Sequence, residues 1–385
     1  MIIYRLMLKS LKISHFALKL FNFSRSLSTS KLENKSLLSI QGNLAAEFLQ
    51  GLITNDMKSI KRPQSFMYSY VLNIKGRIVT DAFIYHLDEH QSVEPRYLIE
   101  LDNQCAPYVA SYLAKHNIRR KVKINTDESI SVWVVMPPHN APLSSLSDRQ
   151  SWLPLKLNHS GGPDVQQNLR FYAFDPRGIP GWSGRILLRS GIEASLVFTG
   201  AKCEYHTLSS YNHVRWRLGL PEGSDELLQG KTLPLESNGD LSGAVSFSKG
   251  CYVGQELTAR TRFTGVVRRR YLPVQLSPVD KSQVLLMKPD DRIDLSQSTV
   301  FSDSFEAGSD SGKSTRPVGW LRAVDCVTGK SNETLEGLAL LRLSETAAHQ
   351  SELRVLLSSC WYHVKPSVPS WWPNDIAPEL PRNVM

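Results

Sequence analysis

Apolar positions in Gly42–Asn55 recur at helical spacing. Leu44, Phe48, Leu52 and Ile53 predict an amphipathic helix, with Asn43 as its N-cap. The period then shortens. Phe66–Leu72 and Arg77–Leu87 are apolar-rich runs split by Asn73-Ile-Lys-Gly76, which predicts a two-stranded hairpin closed by a glycine turn. Arg96–Leu101 predicts another strand, Tyr108–Asn117 a helix, and Lys121–Ile124 and Ile130–Met136 two more strands. This order gives an α+β domain with a largely antiparallel sheet.

Residues 137–168 carry Pro-Pro, Ser-rich and Gly-Gly segments and predict a loop or linker. Leu169–Phe174, the turn Asp175-Pro-Arg-Gly178 and Arg185–Leu188 predict a second hairpin. Residues 207–218 predict a helix with Leu208, Tyr211, Val214 and Leu218 on one face, stopped by Gly219 and Pro221. Beyond Arg268-Arg-Arg270 the candidates are all strands: Tyr271–Leu276, Gln283–Met287, Val318–Val327, Gly337–Leu343 and Leu353–Leu357. No helix is expected among them, and the pattern suits a small β-barrel or sandwich. The resulting division is a leader at 1–30, an α+β domain at 36–136, a linker at 137–168, and a second α+β domain at 169–267. A β-barrel domain follows at 268–360, with a disordered Ser/Asp/Gly-rich insertion at 296–315, and then a Pro-rich tail at 361–385. Trp371-Trp372-Pro373 is expected to staple that tail onto an apolar groove.

Composition supports a soluble globular chain of two or three domains: 385 residues, 41% hydrophobic and 21% charged. The formal charge is +9, but residues 1–30 hold five basic residues and no acidic ones, which leaves +4 without them. That acid-free, amphipathic, Arg/Ser-containing start has the character of a mitochondrial transit peptide. The basic balance therefore lies largely in the leader and argues against a nucleic-acid surface. No segment supplies the roughly 20 apolar residues of a membrane span. The cysteines at 105, 203, 251, 326 and 360 are odd in number, scattered and without a C-x-x-C pair. A disulfide framework or closed zinc site is not expected, and a reducing compartment such as the mitochondrial matrix is. Gly308-Ser-Asp-Ser-Gly-Lys-Ser314 is one residue short of a P-loop and lacks the strand before it.

The remaining candidate chemistry is Lys249-Gly250-Cys251-Tyr252-Val253-Gly254-Gln255-Glu256, with Arg260 close behind. Glycines, a lysine and Gln-Glu are poor core material, so the thiol is expected to be accessible on a tight turn. Cationic neighbours such as Lys249 and Arg260 and the N–H groups of a helix start would favour the thiolate. Asp81 reads either as a polar ligand in a cleft or as a charge on the open sheet face.

Lys249–Arg260 resembles the signature of YgfZ-type proteins, in the superfamily of the glycine-cleavage T-protein (GcvT), an aminomethyltransferase. Phe48–Asp56, Leu72–Asp81, Arg217–Gly223, Leu233–Glu236, Val318–Trp320 and Gly337–Leu341 are similar to further family segments in the expected order. The resemblance implies a three-domain ring around a central channel, with 36–136 as the folate-binding-like domain and a C-terminal β-barrel. It implies tetrahydrofolate as a channel ligand, with Asn73, Arg77 and Asp81 to bind it. It also implies iron–sulfur cluster assembly late in the mitochondrial pathway, with A-type scaffold proteins, in maturation of [4Fe–4S] enzymes such as aconitase and lipoate synthase. Cys251 would then be a transient ligand of a [2Fe–2S] cluster shared with the partner, or a thiol contact to it. The chain departs from the T-protein at its catalytic carboxylate, which aligns with Pro107 or Tyr108; the nearest acid is Asp102. An assembly factor is therefore expected, with a folate-dependent one-carbon transferase as the alternative.

Overall fold

A computed structural model of the chain describes residues 26–87, 94–137, 168–179, 182–198, 202–280, 295, 298–302, 317–326 and 334–383. In chain order the elements are β1 (Ser26–Lys31), β2 (Lys35–Gln41), α1 (Ala45–Gln50), β3 (Ser65–Leu72), β4 (Ile78–Leu87), β5 (Arg96–Asp102), α2 (Ala106–His116), β6 (Lys123–Thr126), β7 (Ile130–Met136), β8 (Leu169–Phe174), β9 (Gly184–Arg189) and β10 (Lys202–Tyr205). Next come α3 (Leu208–Arg217), α4 (Gly223–Glu226), α5 (Gln255–Thr264), β11 (Arg269–Pro278), β12 (Thr299–Ser302), β13 (Gly319–Cys326), β14 (Leu335–Arg342), α6 (Leu343–Ala348), β15 (Leu353–Leu357), β16 (Cys360–Pro366), β17 (Val368–Pro369) and β18 (Arg382–Asn383).

Two five-stranded sheets have the orders β3-β4-β5-β2-β6 and β10-β1-β7-β9-β8, and six strands close a barrel, β11-β14-β13-β12-β15-β16. Pairing is antiparallel except between β1 and β10 and in the short β17–β18 pair. Strand β4 shows why its run reads as continuously apolar: all ten residues are buried. Phe83 and Tyr85 enter the core shared with the second sheet and the barrel, while Ala82 and Ile84 enter the core under α1 and α2. Fully buried side chains such as Phe83 and Ile84 each contribute about 1.5–3 kcal/mol.

Several expectations are corrected. Asn43 is not the N-cap: Leu44 holds that position without a side-chain hydrogen bond. The helix ends at Gln50, because Ile53 already bridges to Val71 and the Thr54 N–H donates to the Tyr70 carbonyl. Strand β7 leaves the expected 36–136 domain and pairs with β1 and β9 of the second sheet. Strand β1 overlaps the expected 1–30 leader, and Leu27 is buried among Trp133, Ile186 and Leu188. The barrel gains β12, from within the expected disordered insertion, and β16, which carries the domain past residue 360; α6 interrupts the expected all-strand order. The linker at 138–167, the strand expected at 283–287 and residues 303–315 lie outside the described residues. The tail is stapled as expected: Trp372 is buried and Trp371 Nε1 donates to the Leu218 carbonyl at 3.0 Å.

Candidate functional site

The octapeptide sits where a loop meets α5, and two glycines decide its shape. Gly254, the residue before α5, has φ +77°, a region costly for a side chain. A Cβ there would lie 2.3 Å from the Asn73 carbonyl oxygen and 3.1 Å from Gly76 Cα. Gly76, at φ +73°, is the reciprocal case: its Cβ would meet the Gly254 carbonyl at 2.7 Å. The β3–β4 turn therefore packs backbone to backbone against the motif. The Val253 N–H donates to the Gly51 carbonyl, and Gln255 Oε1 accepts from the Tyr252 N–H at 3.2 Å. Gly250 has only open space around its Cβ direction, so it is not sterically required.

Lys249 does not sit as an unattached cation available to the thiol. Its ammonium donates to the carbonyls of Gln50, Ile53 and Asn55 at 2.7, 2.8 and 2.7 Å, and lies 5.0 Å from the Tyr252 ring centroid. Burial pulls its pKa down to about 8, against a weaker upward pull from Asp56. The lysine thus pins the motif to the chain leaving α1. None of the five cysteines is in a disulfide, and Cys251 alone among them is exposed. Cys105 is buried, with a pKa pushed up to about 11 by burial and then by Asp102. Glu256 and Arg260 point to solvent on α5, and the turn that touches Gly254 exposes Ile74. Among the described residues no group of three or more His, Cys, Asp and Glu side chains is placed to hold a metal.

The residues expected to bind folate are each engaged by groups of the protein itself. Asn73 Oδ1 is occupied by the N–H groups of Lys75 and Arg77, at 2.9 and 3.1 Å, inside its own turn. The Arg77 guanidinium donates to the Lys231 carbonyl. Asp81 is 1% exposed; its carboxylate accepts from the Gly223 N–H at 2.9 Å and lies 3.9 Å from Lys35. Asp102, the acid nearest the T-protein's carboxylate position, is likewise engaged, accepting from the N–H groups of Gln104 and Ser224.

Asp81 instead belongs to a buried ion network between the two five-stranded sheets and the α3–α4 segment, which periodicity could not announce because charged residues ordinarily read as surface. Its hub is Glu222, 2.6 Å from Arg177, 3.4 Å from Lys35, 3.5 Å from Arg185 and 3.9 Å from Arg215, and hydrogen-bonded by the Tyr211 hydroxyl at 2.6 Å. Burial pushes Glu222 upward, but these four cations outweigh it and hold the carboxyl well below the usual range. At Glu100 burial wins over Arg185 and Lys35, and the pKa is raised.

Two five-stranded sheets, a closed six-stranded barrel and a thiol-bearing loop pinned to the first sheet define a chain built on the glycine-cleavage T-protein fold. The crystal structure of the glycine cleavage system aminomethyltransferase T from Bartonella henselae superposes with a TM-score of 0.59, at 17% identity, over 90% of this chain and 88% of that one. At the sequence level the human mitochondrial iron–sulfur cluster assembly factor IBA57 is 32% identical over 357 residues, which cover 89% of this chain and 85% of the human protein. The IBA57 homologue of Aspergillus oryzae is 35% identical over 269 residues, and the chain spans 57% of that protein's length. No family model matches. The chain belongs to the IBA57 family of mitochondrial iron–sulfur cluster assembly factors.

Proposed function

We propose that this chain acts late in iron–sulfur assembly in the mitochondrial matrix, and that Cys251 is its half of a shared site. Its cargo would be a [2Fe–2S] cluster held jointly with an A-type scaffold protein, on the way to [4Fe–4S] enzymes such as aconitase and lipoate synthase. The observation that carries this reading is the placement of Cys251: the chain's exposed cysteine, on a loop held by Lys249 and by the Gly76–Gly254 contact. A cluster needs about four ligands, so one thiol implies that a partner supplies the others. The chemistry assigned to Cys251 is that of a thiolate ligand, and the loop supplies its position. The engagement of Asn73, Arg77, Asp81 and Asp102 elsewhere supports an assembly role over one-carbon transfer.

The test is anaerobic mixing of the protein with a [2Fe–2S]-loaded A-type scaffold, read by visible absorbance and native mass. Wild type is expected to form a cluster-bridged heterocomplex. Cys251→Ser is expected to lose the bridged species with its fold unchanged by circular dichroism. Equal complex formation and cluster transfer by both proteins would remove the role given to Cys251.

A further inference from the structure

The stretch that joins α2 to β6 concentrates positive charge on one loop. Residues 115–123 hold Lys115, Arg119, Arg120, Lys121 and Lys123, together with His116, and no acidic residue. Two of these cations are paired at the surface, Arg120 with Glu47 at 3.0 Å and Lys123 with Glu94 at 3.8 Å. Lys115, Arg119 and Lys121 are exposed and have no ion pair among the described residues. In the middle of the run stands Ile118, 81% exposed, the most exposed of the large apolar side chains described.

The loop is built to hold that side chain out. Asn117 Nδ2 donates to the Val122 carbonyl at 2.7 Å, and Asn117 Oδ1 accepts from the Val122 N–H at 3.2 Å, so the two ends of the loop are clamped together. Lys121 has φ +50°, a left-handed conformation uncommon for a residue with a side chain. Arg120 also donates to the Glu47 carbonyl at 2.6 Å, which ties the loop to α1. A second exposed aliphatic residue, Leu44, lies on the stretch that meets this loop. On one side of it a Cβ on Gly42 would contact Val122, and on the other Glu47 holds Arg120.

We propose that this loop is a peripheral docking site for an anionic lipid bilayer. The lipid phosphates face the five cations, and Ile118, with Leu44 beside it, enters the boundary between headgroups and acyl chains. A single-stranded nucleic acid would also meet the cations, but it needs exposed rings to stack on. The rings nearest the tip, Tyr112 and His116, lie against each other at 4.4 Å, and the exposed Tyr108 is in the first turn of α2, at the other end of the helix. A stable protein interface needs a broader apolar centre than two aliphatic side chains. Docking would couple the bilayer to the thiol loop through α1, which Arg120 grips at Glu47 and Lys249 grips at Gln50.

The basic leader of the full chain would itself meet anionic lipid, so the test reads the loop locally, by hydrogen–deuterium exchange of residues 115–123. Phosphatidylcholine vesicles containing about one-third phosphatidylglycerol are expected to slow exchange there at least about fivefold, the effect of one surface-bound cation or more. Pure phosphatidylcholine vesicles, an oligouridylate and polyglutamate are expected to leave it unchanged. Ile118→Glu and the triple variant Lys115→Gln, Arg119→Gln, Lys121→Gln change exposed side chains alone, and each is expected to lose the protection with an unchanged circular dichroism spectrum. The assignment is overturned if the anionic vesicles leave exchange at 115–123 unchanged in wild type, if any comparison probe protects as strongly, or if Ile118→Glu keeps the wild-type protection.

Discussion

Lys249 shows how a residue type can be right for a motif and wrong for the role its neighbours suggest. Beside a cysteine in sequence it reads as the cation that stabilises a thiolate, whereas its ammonium is spent on three carbonyls of the chain after α1. Three convergent acceptors suit the compact ammonium of lysine and not the planar fork of arginine. Lys249→Met is therefore expected to lower unfolding free energy by about 2–4 kcal/mol in urea titrations, with Lys249→Arg failing to restore it. Cys251 was legible as the accessible thiol because glycine, lysine and Gln-Glu surround it. Its tether was not, since no local pattern reveals which backbone carbonyls a lysine will meet.

At the scale of elements, what was legible was local. The hairpins β3–β4 and β8–β9 follow from turn residues between apolar runs, and both form as expected. Strand β12 escaped because it is four residues long in a Ser/Asp/Gly-rich stretch. The sheet membership of β7 escaped because its partner β1 lies about a hundred residues earlier, beyond any periodicity argument. The two glycines of the motif also separate by role. Gly254→Ala and Gly76→Ala each put a Cβ against backbone at positive φ, and each is expected to cost about 1–3 kcal/mol. Gly250→Ala meets nothing within 4 Å and is expected to stay within about 0.5 kcal/mol of wild type. Equilibrium unfolding of the three variants reads this contrast directly.

At the scale of the molecule, the junction of the two five-stranded sheets rests on charge as well as on apolar packing. Glu222 has a folded pKa below its ordinary 4.5, so the stabilisation it brings is complete above that value. It is lost as pH falls through the folded pKa, because the unfolded chain then binds the extra proton. Glu222→Gln leaves four buried cations short of an anion and is expected to cost about 3–5 kcal/mol at pH 7. The same variant should show a shallower fall in melting temperature below pH 4.5. Strand β1 lies between β10 and β7, so a chain starting at Glu33 should fail to fold cooperatively, while one starting at Arg25 should fold. Circular dichroism melts of the two truncations distinguish these outcomes.

The backbone contact between Gly76 and Gly254 makes the signature a property of two separated stretches. Grafting Lys249–Glu256 alone onto another T-protein-type scaffold would carry over the sulfur without its seat, unless the turn Asn73–Gly76 travelled with it. Conversely, a genetic lesion in that turn would mimic loss of the cysteine in a protein whose thiol is chemically intact.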